Sequence, residues 1–415
     1  MIAQLVRIVG WTFFPLALLA KLPFAMSVVA VMTSVSVVTH SYGIAGIAAA
    51  LVGVGTAVSG PIYGILADKH GQRPILIFTA VTNAASLLGL GWALRVSDTQ
   101  PNVLLVCVAA LCIGCTQPQA TSMVRSRWLQ ALRHNFNDDV PTRVTNAVLS
   151  YESMTDELVF VLGPVVVGII ATLTGVVVPL DAAAILTALG VLGIAFHPSS
   201  VYSTGRATAR VDDLGDGTPT QQTTAPMAAL LAPRVMVPVA GMLSIGLFFG
   251  STLTSVTSFM ETLGRADATG LLYGVMGVTS ALFAFSVVAL PDRVTLVARW
   301  AVAGMIAVTG ATILNLVPGM PGLVAALLVM GTGIGPALVT LYSIAAEVAP
   351  TGRTTAVMSM MATAVTVGQA TASAVVGNLV DGSGFRVGYV AVAVATACLW
   401  ALAFTYMAVG RRLTR

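Results

Sequence analysis

Apolar runs of about 20 residues repeat along this chain, and short polar segments marked by Gly and Pro separate them. A helix that spans a membrane needs about 20 mostly apolar residues. The pattern therefore predicts about twelve transmembrane helices, at 11–38, 44–67, 75–94, 102–123, 145–173, 178–196, 235–260, 271–290, 297–317, 323–346, 356–379 and 389–409. The first run is too long for the core of a signal peptide and no small-residue cleavage site follows it, so we expect it to be retained.

One polar segment is longer than the others. Residues 198–232 are rich in Gly, Thr, Asp, Gln and Pro, the composition of a flexible cytoplasmic connector. This segment divides the chain into an N-terminal half, 1–197, and a C-terminal half, 233–415, and a weak repeat of Gly and Pro positions relates the two halves. The predicted fold class is an all-α polytopic membrane protein of two pseudo-symmetric six-helix halves.

Composition and charge agree with this prediction. Of the 415 residues 57% are hydrophobic and only 9% are charged, and the mean hydropathy is +0.92, which an ordinary water-soluble globule does not sustain. The net charge is +4, but Lys and Arg in membrane proteins report orientation first, so no nucleic-acid partner is predicted. Most basic residues fall on one side of the predicted spans. We expect that side to be the cytoplasm, with both termini there, and the membrane to be a bacterial inner membrane.

The four cysteines all lie in apolar runs. Cys112 and Cys115 form a C-x-x-C pair, yet neither His nor a further Cys accompanies them. Small helix-packing residues are therefore the better interpretation than a metal or redox site. No metal, nucleotide or organic cofactor is expected.

The turn after the second predicted span carries a compact cationic motif. Residues 64–74 read GILADKHGQRP. Gly64 permits close contact between helices, and Asp68 can cap the N-terminus of a neighbouring helix with its carboxylate. Gly71 allows a tight reversal, and Arg73 adds positive charge after it. A merely solvated turn that obeys the charge rule is the alternative interpretation.

This turn resembles the loop motif of the major facilitator superfamily, with Lys69 and Gln72 where the family often has Arg or Lys. The resemblance implies a two-half carrier that works by alternating access. The corresponding turn of the second half, at 291–293, is degenerate, which argues against a symmetric gate. We expect Asp68 to meet the N-terminus of the eleventh span near 351–356 when the cytoplasmic side is closed.

A Gly-Pro motif lies in the fifth predicted span, where Gly163 and Pro164 are followed by Gly168. Pro164 removes one backbone hydrogen bond beside small residues, so a kinked and closely packed helix is expected. The motif resembles one that antiporters of the same family carry in this helix, drug exporters among them. A plain packing kink is an equally open interpretation.

The same helix begins with acids, which are costly inside a membrane and need a partner, a cavity or a proton. Glu152 and Asp156 are four residues apart and share a helix face, whereas Glu157 points elsewhere. Lys21, inside the first span, or Arg125, near the end of the fourth, would be the cationic partner, so we predict a coupling and substrate site of Lys21, Arg125, Glu152 and Asp156. Interfacial acids and a snorkelling Lys21 are the alternatives.

The fourth span ends in Arg125, Ser126, Arg127 and Trp128. Trp favours the membrane interface and Arg the inner surface, so topology alone places this stretch at the cytoplasmic boundary. Arg125 is the deeper arginine and is the one expected to face the acids of the fifth span.

These features together predict a secondary active transporter of a small molecule. Proton-coupled efflux by antiport is the main hypothesis and proton-coupled uptake of a polar metabolite is the alternative. The expected partners are the small-molecule substrate, protons and the lipid bilayer, and the protein is expected to be a monomer. A membrane-embedded enzyme would need a nucleophile with a base, or metal ligands, yet all four His lie at span ends or in loops. No catalytic residue and no metal ligand is therefore predicted.

Overall fold

The computed structural model of the protein describes residues 2–39, 42–96, 102–136, 140–203, 225–264, 269–291 and 293–413, and its regular structure there is helical. The α-helices are α1 (Ile2–Val9), α2 (Phe13–Thr39), α3 (Tyr42–His70), α4 (Gln72–Val96), α5 (Val103–Cys115), α6 (Ala120–Asn135), α7 (Thr142–Thr174), α8 (Val178–Leu186), α9 (Leu192–Phe196), α10 (Pro233–Thr262), α11 (Thr269–Ser286), α12 (Leu296–Leu316), α13 (Gly319–Val348), α14 (Thr354–Ser383) and α15 (Phe385–Leu413). A π-helical segment, Thr187–Val191, joins α8 to α9.

Ten helical stretches of the described residues are long and apolar enough to cross a membrane. Two shorter apolar helices, Val165–Thr174 and Leu272–Ser286, add to them, so the pattern is consistent with twelve spans. Helices suit this setting because each satisfies its own backbone hydrogen bonds where water is absent. The predicted all-α polytopic fold is confirmed.

The fourth predicted span differs from the prediction of one helix over 102–123. It consists of α5 and α6, which a short non-helical stretch around Pro118 separates, and α6 continues well past position 123. Pro118 cannot donate a backbone hydrogen bond, so the carbonyls before it need other partners. Asn83 Nδ2 donates to the Ile113 carbonyl over 2.9 Å, and the Tyr63 hydroxyl donates to the next free carbonyl, that of Cys115, over 2.7 Å.

The chain forms two compact units, each made of three segments. The first unit contains Met1–Val140, Val159–Ala225 and Thr351–Met360, and the second contains Pro141–Leu158, Pro226–Pro350 and Met361–Arg415. The first part of α7 therefore belongs to the second unit, and the first part of α14 belongs to the first. The boundaries predicted at 197 and 233 remain predictions about how the halves are organised.

Small residues let helices of the first unit approach closely. A Cβ atom added to Gly114 of α5 would lie 2.2 Å from the Val52 carbonyl oxygen of α3, and one added to Gly55 would lie 2.6 Å from the Cys115 nitrogen. Backbone therefore meets backbone where α3 packs on α5. Met26, Leu87 and other buried apolar side chains fill the space around this contact.

The second unit is built around α13, the most buried of the candidate spans, with 67% of its most apolar window inside the protein. Glycines again set the spacing. A Cβ atom on Gly335 would lie 2.0 Å from the Ser280 carbonyl oxygen of α11, and one on Gly333 would lie 2.6 Å from the Ala303 carbonyl oxygen of α12. Neither position accepts a larger residue without moving a neighbouring helix.

The predicted connector is described only at its two ends. These form short 3₁₀ helices, Pro198–Ser203 and Met227–Leu231, and the Tyr202 ring lies 5.5 Å from the ring of His134. Residues 204–224, on which the prediction of a flexible segment depends, lie outside the described residues.

Candidate functional site

Only one residue, Gly71, separates α3 from α4. Its φ of 87° lies in the left-handed region, which Gly adopts without the steric cost of a side chain. The tight reversal predicted from the sequence is therefore present. It places Asp68, in the last turn of α3, close in the chain to Gln72, the first residue of α4.

Asp68 caps the N-terminus of α14. The backbone N–H of Thr355 donates to Asp68 Oδ1 over 2.9 Å, and that of Ala356 donates to Oδ2 over 2.7 Å. The first N–H groups of a helix have no partner within the helix and carry the positive end of its dipole, so a carboxylate is well suited to them. The positive charge of Arg353 also acts on Asp68. The contact expected near 351–356 is present, and its role as a gate remains a prediction.

Gly64 allows the same two helices to touch. A Cβ atom there would lie 2.7 Å from Ser359 Oγ and 2.9 Å from the Ala356 Cα atom. Arg73, the last motif residue, does not join this contact. Its Cζ atom instead lies 4.6 Å from the centre of the Phe196 ring at the end of α9, a cation–π distance.

Two hydroxyl pairs extend the contact between α6 and the start of α14. Ser122 Oγ lies 3.0 Å from Ser359 Oγ, and Ser126 Oγ lies 2.6 Å from Thr355 Oγ1. Sequence reasoning assigned no role to any of these four hydroxyls. A signal was available, because Ser122 and Ser126 are four apart in α6 and Thr355 and Ser359 are four apart in α14, so each helix presents both hydroxyls on one face.

Arg127 is 1% exposed and the neighbouring Trp128 is fully buried. The centre of the Trp128 ring lies 5.1 Å from the centre of the Phe13 ring. Both side chains are therefore covered by protein, and their position at the membrane boundary remains a prediction. Gln72, Ser199 and the Ile194 carbonyl supply hydrogen-bond acceptors from distant parts of the sequence, and these make burial of the guanidinium possible.

His197 lies beside this arginine, just beyond α9. Its Nδ1 accepts the Ser199 backbone N–H over 3.2 Å, so its Nε2–H donates to Thr12 Oγ1 over 3.0 Å. Burial lowers the pKa of the His197 imidazole, and the charge of Arg127 lowers it further. The neutral form of His197 is the one that this site favours.

The predicted coupling residues are placed in two different units. Lys21 and Arg125 belong to the first unit and are each 1% exposed, whereas Glu152, 0% exposed, and the half-buried Asp156 belong to the second. The burial of Glu152 argues against the alternative that this acid is solvated at the membrane interface. Its pairing with a cation remains a prediction. The side chain of Glu157 lies outside the described residues.

The Gly-Pro motif lies in α7, which is helical without interruption from Thr142 to Thr174. A Cβ atom on Gly163 would lie 2.6 Å from the Ala25 Cβ atom of α2, so close packing is present. Gly168 has open space beside it. The side chain of Pro164 lies outside the described residues, and the kink remains a prediction.

Within the described residues, no group of three or more His, Cys, Asp or Glu side chains is arranged to hold a metal ion. Residues 13–373 match the description of the Major Facilitator Superfamily. Among curated proteins, none matches this chain.

Several solved transporter structures share the fold at low sequence identity. The crystal structure of the human organic anion transporter MFSD10 (TETRAN) is 15% identical, covers 96% of this chain and 99% of its own, and has a TM-score of 0.69. A bacterial homologue of the iron transporter ferroportin, in an outward-facing state, is 12% identical. It covers 95% of this chain and 98% of its own, with a TM-score of 0.70. The proton:xylose symporter XylE, bound to 6-bromo-6-deoxy-D-glucose, is 15% identical. It covers 95% of this chain and 94% of its own, with a TM-score of 0.67.

Because the sequence identities are low, these structural similarities show the fold alone. The family match is a separate observation and covers most of the chain. With the helical architecture and the capped turn already described, it shows that this protein belongs to the major facilitator superfamily, a family of transporters.

Proposed function

We propose that this protein is a secondary active transporter that carries a small molecule by alternating access, and that the Asp68 contact holds its cytoplasmic side closed. The observation that carries the proposal is the pair of backbone hydrogen bonds from the first turn of α14 to the Asp68 carboxylate. Water can replace both bonds when that side opens, so the contact can form and break within each transport cycle.

Reconstitution tests this function directly. A thermal-shift screen of the purified protein against metabolites and cationic dyes at two pH values identifies a ligand. Counterflow of that ligand in proteoliposomes then measures exchange across the membrane. Binding without any exchange in either direction would contradict a carrier.

We further propose that protons drive the transport and that Glu152 or Asp156 carries the proton. A buried carboxylate is costly when charged, so it gains by alternating between a protonated state and pairing with Lys21 or Arg125. Different proton affinities in the two carrier states are what coupling requires. The full burial of Glu152 supports this role.

Neutralising the acids tests the coupling. Glu152→Gln or Asp156→Asn is expected to abolish transport driven by a pH gradient and to spare downhill exchange, and Lys21→Ala is expected to shift the pH profile. Asp181→Asn is the matched control, since this acid pairs with the partly exposed Arg95. Full pH-driven transport in both acid variants would show that neither acid carries the proton.

The direction of transport has two candidates, efflux and uptake. The Gly-Pro motif of α7 favours efflux of a small, amphipathic molecule by antiport, whereas uptake of a polar metabolite by symport is the second candidate. Right-side-out and inverted vesicles separate the two, because the same pH gradient drives accumulation in only one of them for each mechanism.

We also propose that the protein is a monomer in a bacterial inner membrane with both termini in the cytoplasm. The distribution of Lys and Arg over the predicted spans supports this orientation. Labelling of cysteines placed near each terminus, in intact and in permeabilised cells, tests it. Labelling of intact cells at either terminus would contradict the orientation.

A further inference from the structure

Among the residues that the structure describes, none gives the buried guanidinium of Arg127 an acidic partner. In the part of the chain that the structure describes, its hydrogen-bond acceptors are all neutral: Gln72 Oε1 at 3.1 Å, the Ile194 carbonyl at 2.8 Å and Ser199 Oγ at 3.2 Å. Its Nη2 atom has no hydrogen-bond partner there. A cation without a counter-charge is costly to bury, so its position calls for a physical reason.

The first step of the explanation is the orientation of the Gln72 amide. Because Arg127 can only donate, the amide oxygen of Gln72 must face it and the amide nitrogen must point away. That nitrogen, Nε2, donates to Ser126 Oγ over 2.8 Å. The cation thus fixes which end of Gln72 reaches α6.

The second step runs from Ser126 to Asp68. Ser126 Oγ accepts from Gln72 and, at 3.4 Å, from Gln130, so its own proton is left to donate to Thr355 Oγ1 at 2.6 Å. The backbone N–H of Thr355 in turn donates to Asp68 Oδ1 over 2.9 Å, and an ionised carboxylate only accepts. The Gln72 amide, the Ser126 hydroxyl and the Thr355 backbone N–H therefore each donate towards Asp68.

We propose that Arg127 is a positioning residue for the Asp68 contact, acting as the cationic end of a one-directional hydrogen-bond chain through Gln72, Ser126 and Thr355. The proposal rests on the gate role proposed above for Asp68. Three neutral residues join this buried cation to the carboxylate. Hydrogen bonds aligned in one direction polarise one another, so each bond strengthens the next.

The chain also explains why Gln72 replaces the basic residue that the family motif often has at this position. A Lys or Arg side chain only donates, so it could not accept from Arg127 and would place a second cation against it. Gln both accepts and donates, as a link in the middle of such a chain must. The departure from the family motif and the buried arginine are therefore parts of one arrangement.

Two single substitutions break the chain at different links. Gln72→Glu still accepts from Arg127 and adds a counter-charge beside it, but it cannot donate to Ser126. Ser126→Ala removes the next link with little change in volume. Ser244→Ala is the matched control, because Ser244 is also buried and donates only to the Ala240 carbonyl of its own helix.

The readout is access to the start of α14. Val357, which is 1% exposed, is replaced by Cys in a background without the four native cysteines, and the rate of labelling by a soluble maleimide is measured in detergent. Asp68→Asn calibrates the fully released contact. Gln72→Glu and Ser126→Ala are each expected to raise the rate about fivefold, the effect of one ordinary hydrogen bond, while Gln72→Glu keeps the melting temperature of the background.

Non-additivity gives the sharpest test. Because the two links lie in series, the double variant is expected to label no faster than either single variant, whereas two independent structural defects would multiply. Background rates in both single variants, with fast labelling of Asp68→Asn, would overturn the chain and leave the gate standing. A background rate in Asp68→Asn itself would overturn the gate and this proposal with it.

Discussion

Two turns of this protein lie beside a buried arginine, and they use it in different ways. The turn between α3 and α4 lies beside Arg127, whose acceptors belong to α4, α9 and the segment after it. The turn between α11 and α12 is followed by Arg299, which is 5% exposed and donates to the Val294 and Pro291 carbonyls of that same turn. Arg299 therefore stabilises its own turn, whereas Arg127 connects its turn to other elements.

The difference teaches that burial of a charge says little about its role until its acceptors are known. An arginine bonded within one turn can be lost at a local cost. An arginine bonded to three elements constrains how these elements move together. The asymmetry follows the sequence, since the second turn lacks the Gly-x-x-x-Asp spacing and the Gln of the first.

The largest effect is expected from crowding the first turn. Gly64→Ala puts a Cβ atom against the Ala356 backbone, which cannot move away as a side chain could, so we expect a loss of about 1–3 kcal/mol in stability and slow transport. Gly46→Ala in the same helix meets open space and is expected to change the melting temperature little. Equal melting temperatures for the two variants would contradict the close packing.

Removing the charge of Asp68 is the next test. Asp68→Asn loses one cap acceptor and the interaction with the helix dipole, together about 1–2 kcal/mol, so the closed state becomes roughly tenfold less populated. Counterflow in proteoliposomes is expected to slow while membrane insertion is unchanged. Wild-type counterflow in this variant would remove Asp68 from the transport cycle.

The comparison itself is tested by replacing each arginine with Met. Arg299→Met is expected to lower stability by about 1–2 kcal/mol, because two carbonyls lose a donor. It is not expected to change the rate of maleimide labelling in the Val357→Cys background. Arg127→Met is expected both to lower stability and to raise access to a Cys at position 357. If Arg299→Met also opens the start of α14, the second turn is not self-contained and the contrast fails.

His197, which lies beside Arg127, predicts that the stability of the protein depends on pH. Its pKa in the folded protein is lowered, so the unfolded chain binds the proton more tightly, and stability falls as pH drops below the unfolded value of about 6.5. His197→Asn is expected to remove this component of the melting curve between pH 7.5 and pH 5.5. An unchanged pH dependence in the variant would assign it to other groups.

The smallest effect is expected from the Arg95–Asp181 ion pair between α4 and α8. Their side chains are 43% and 27% exposed, so water screens the pair. Asp181→Asn is expected to cost less than about 1 kcal/mol, and added salt should remove most of that difference. A larger cost would mean that exposure is a poor guide to the value of charges in this protein.

Much of the fold follows from the sequence because apolar length decides it. The sixth span was predicted at 178–196, the extent that the structure gives it, and the reversal at Gly71 and the reach of Asp68 followed from the motif. These features depend on residues near one another in the chain or on a pattern shared by a family.

What escaped prediction depends on distant partners. The sequence does not show that Arg127 and Trp128 are buried, because their partners Gln72, Ser199 and Phe13 lie in other parts of the chain. The break before α6 was missed as a break because a Pro in an apolar run is compatible with a kinked, continuous helix. Only the side chains that satisfy the freed carbonyls decide between the two.

The π-helical segment Thr187–Val191 has a consequence for how the gene can vary. One extra residue in a turn rotates everything after it by about 100° relative to a regular α-helix. The phase of the sixth span is therefore set by this wide turn, and the Ile194 carbonyl and His197 reach Arg127 and Thr12 only in that phase. Deleting a single codon in this stretch would turn the wide turn into a regular one and keep both groups in phase, whereas the same deletion elsewhere in the sixth span would turn them away from Arg127 and Thr12.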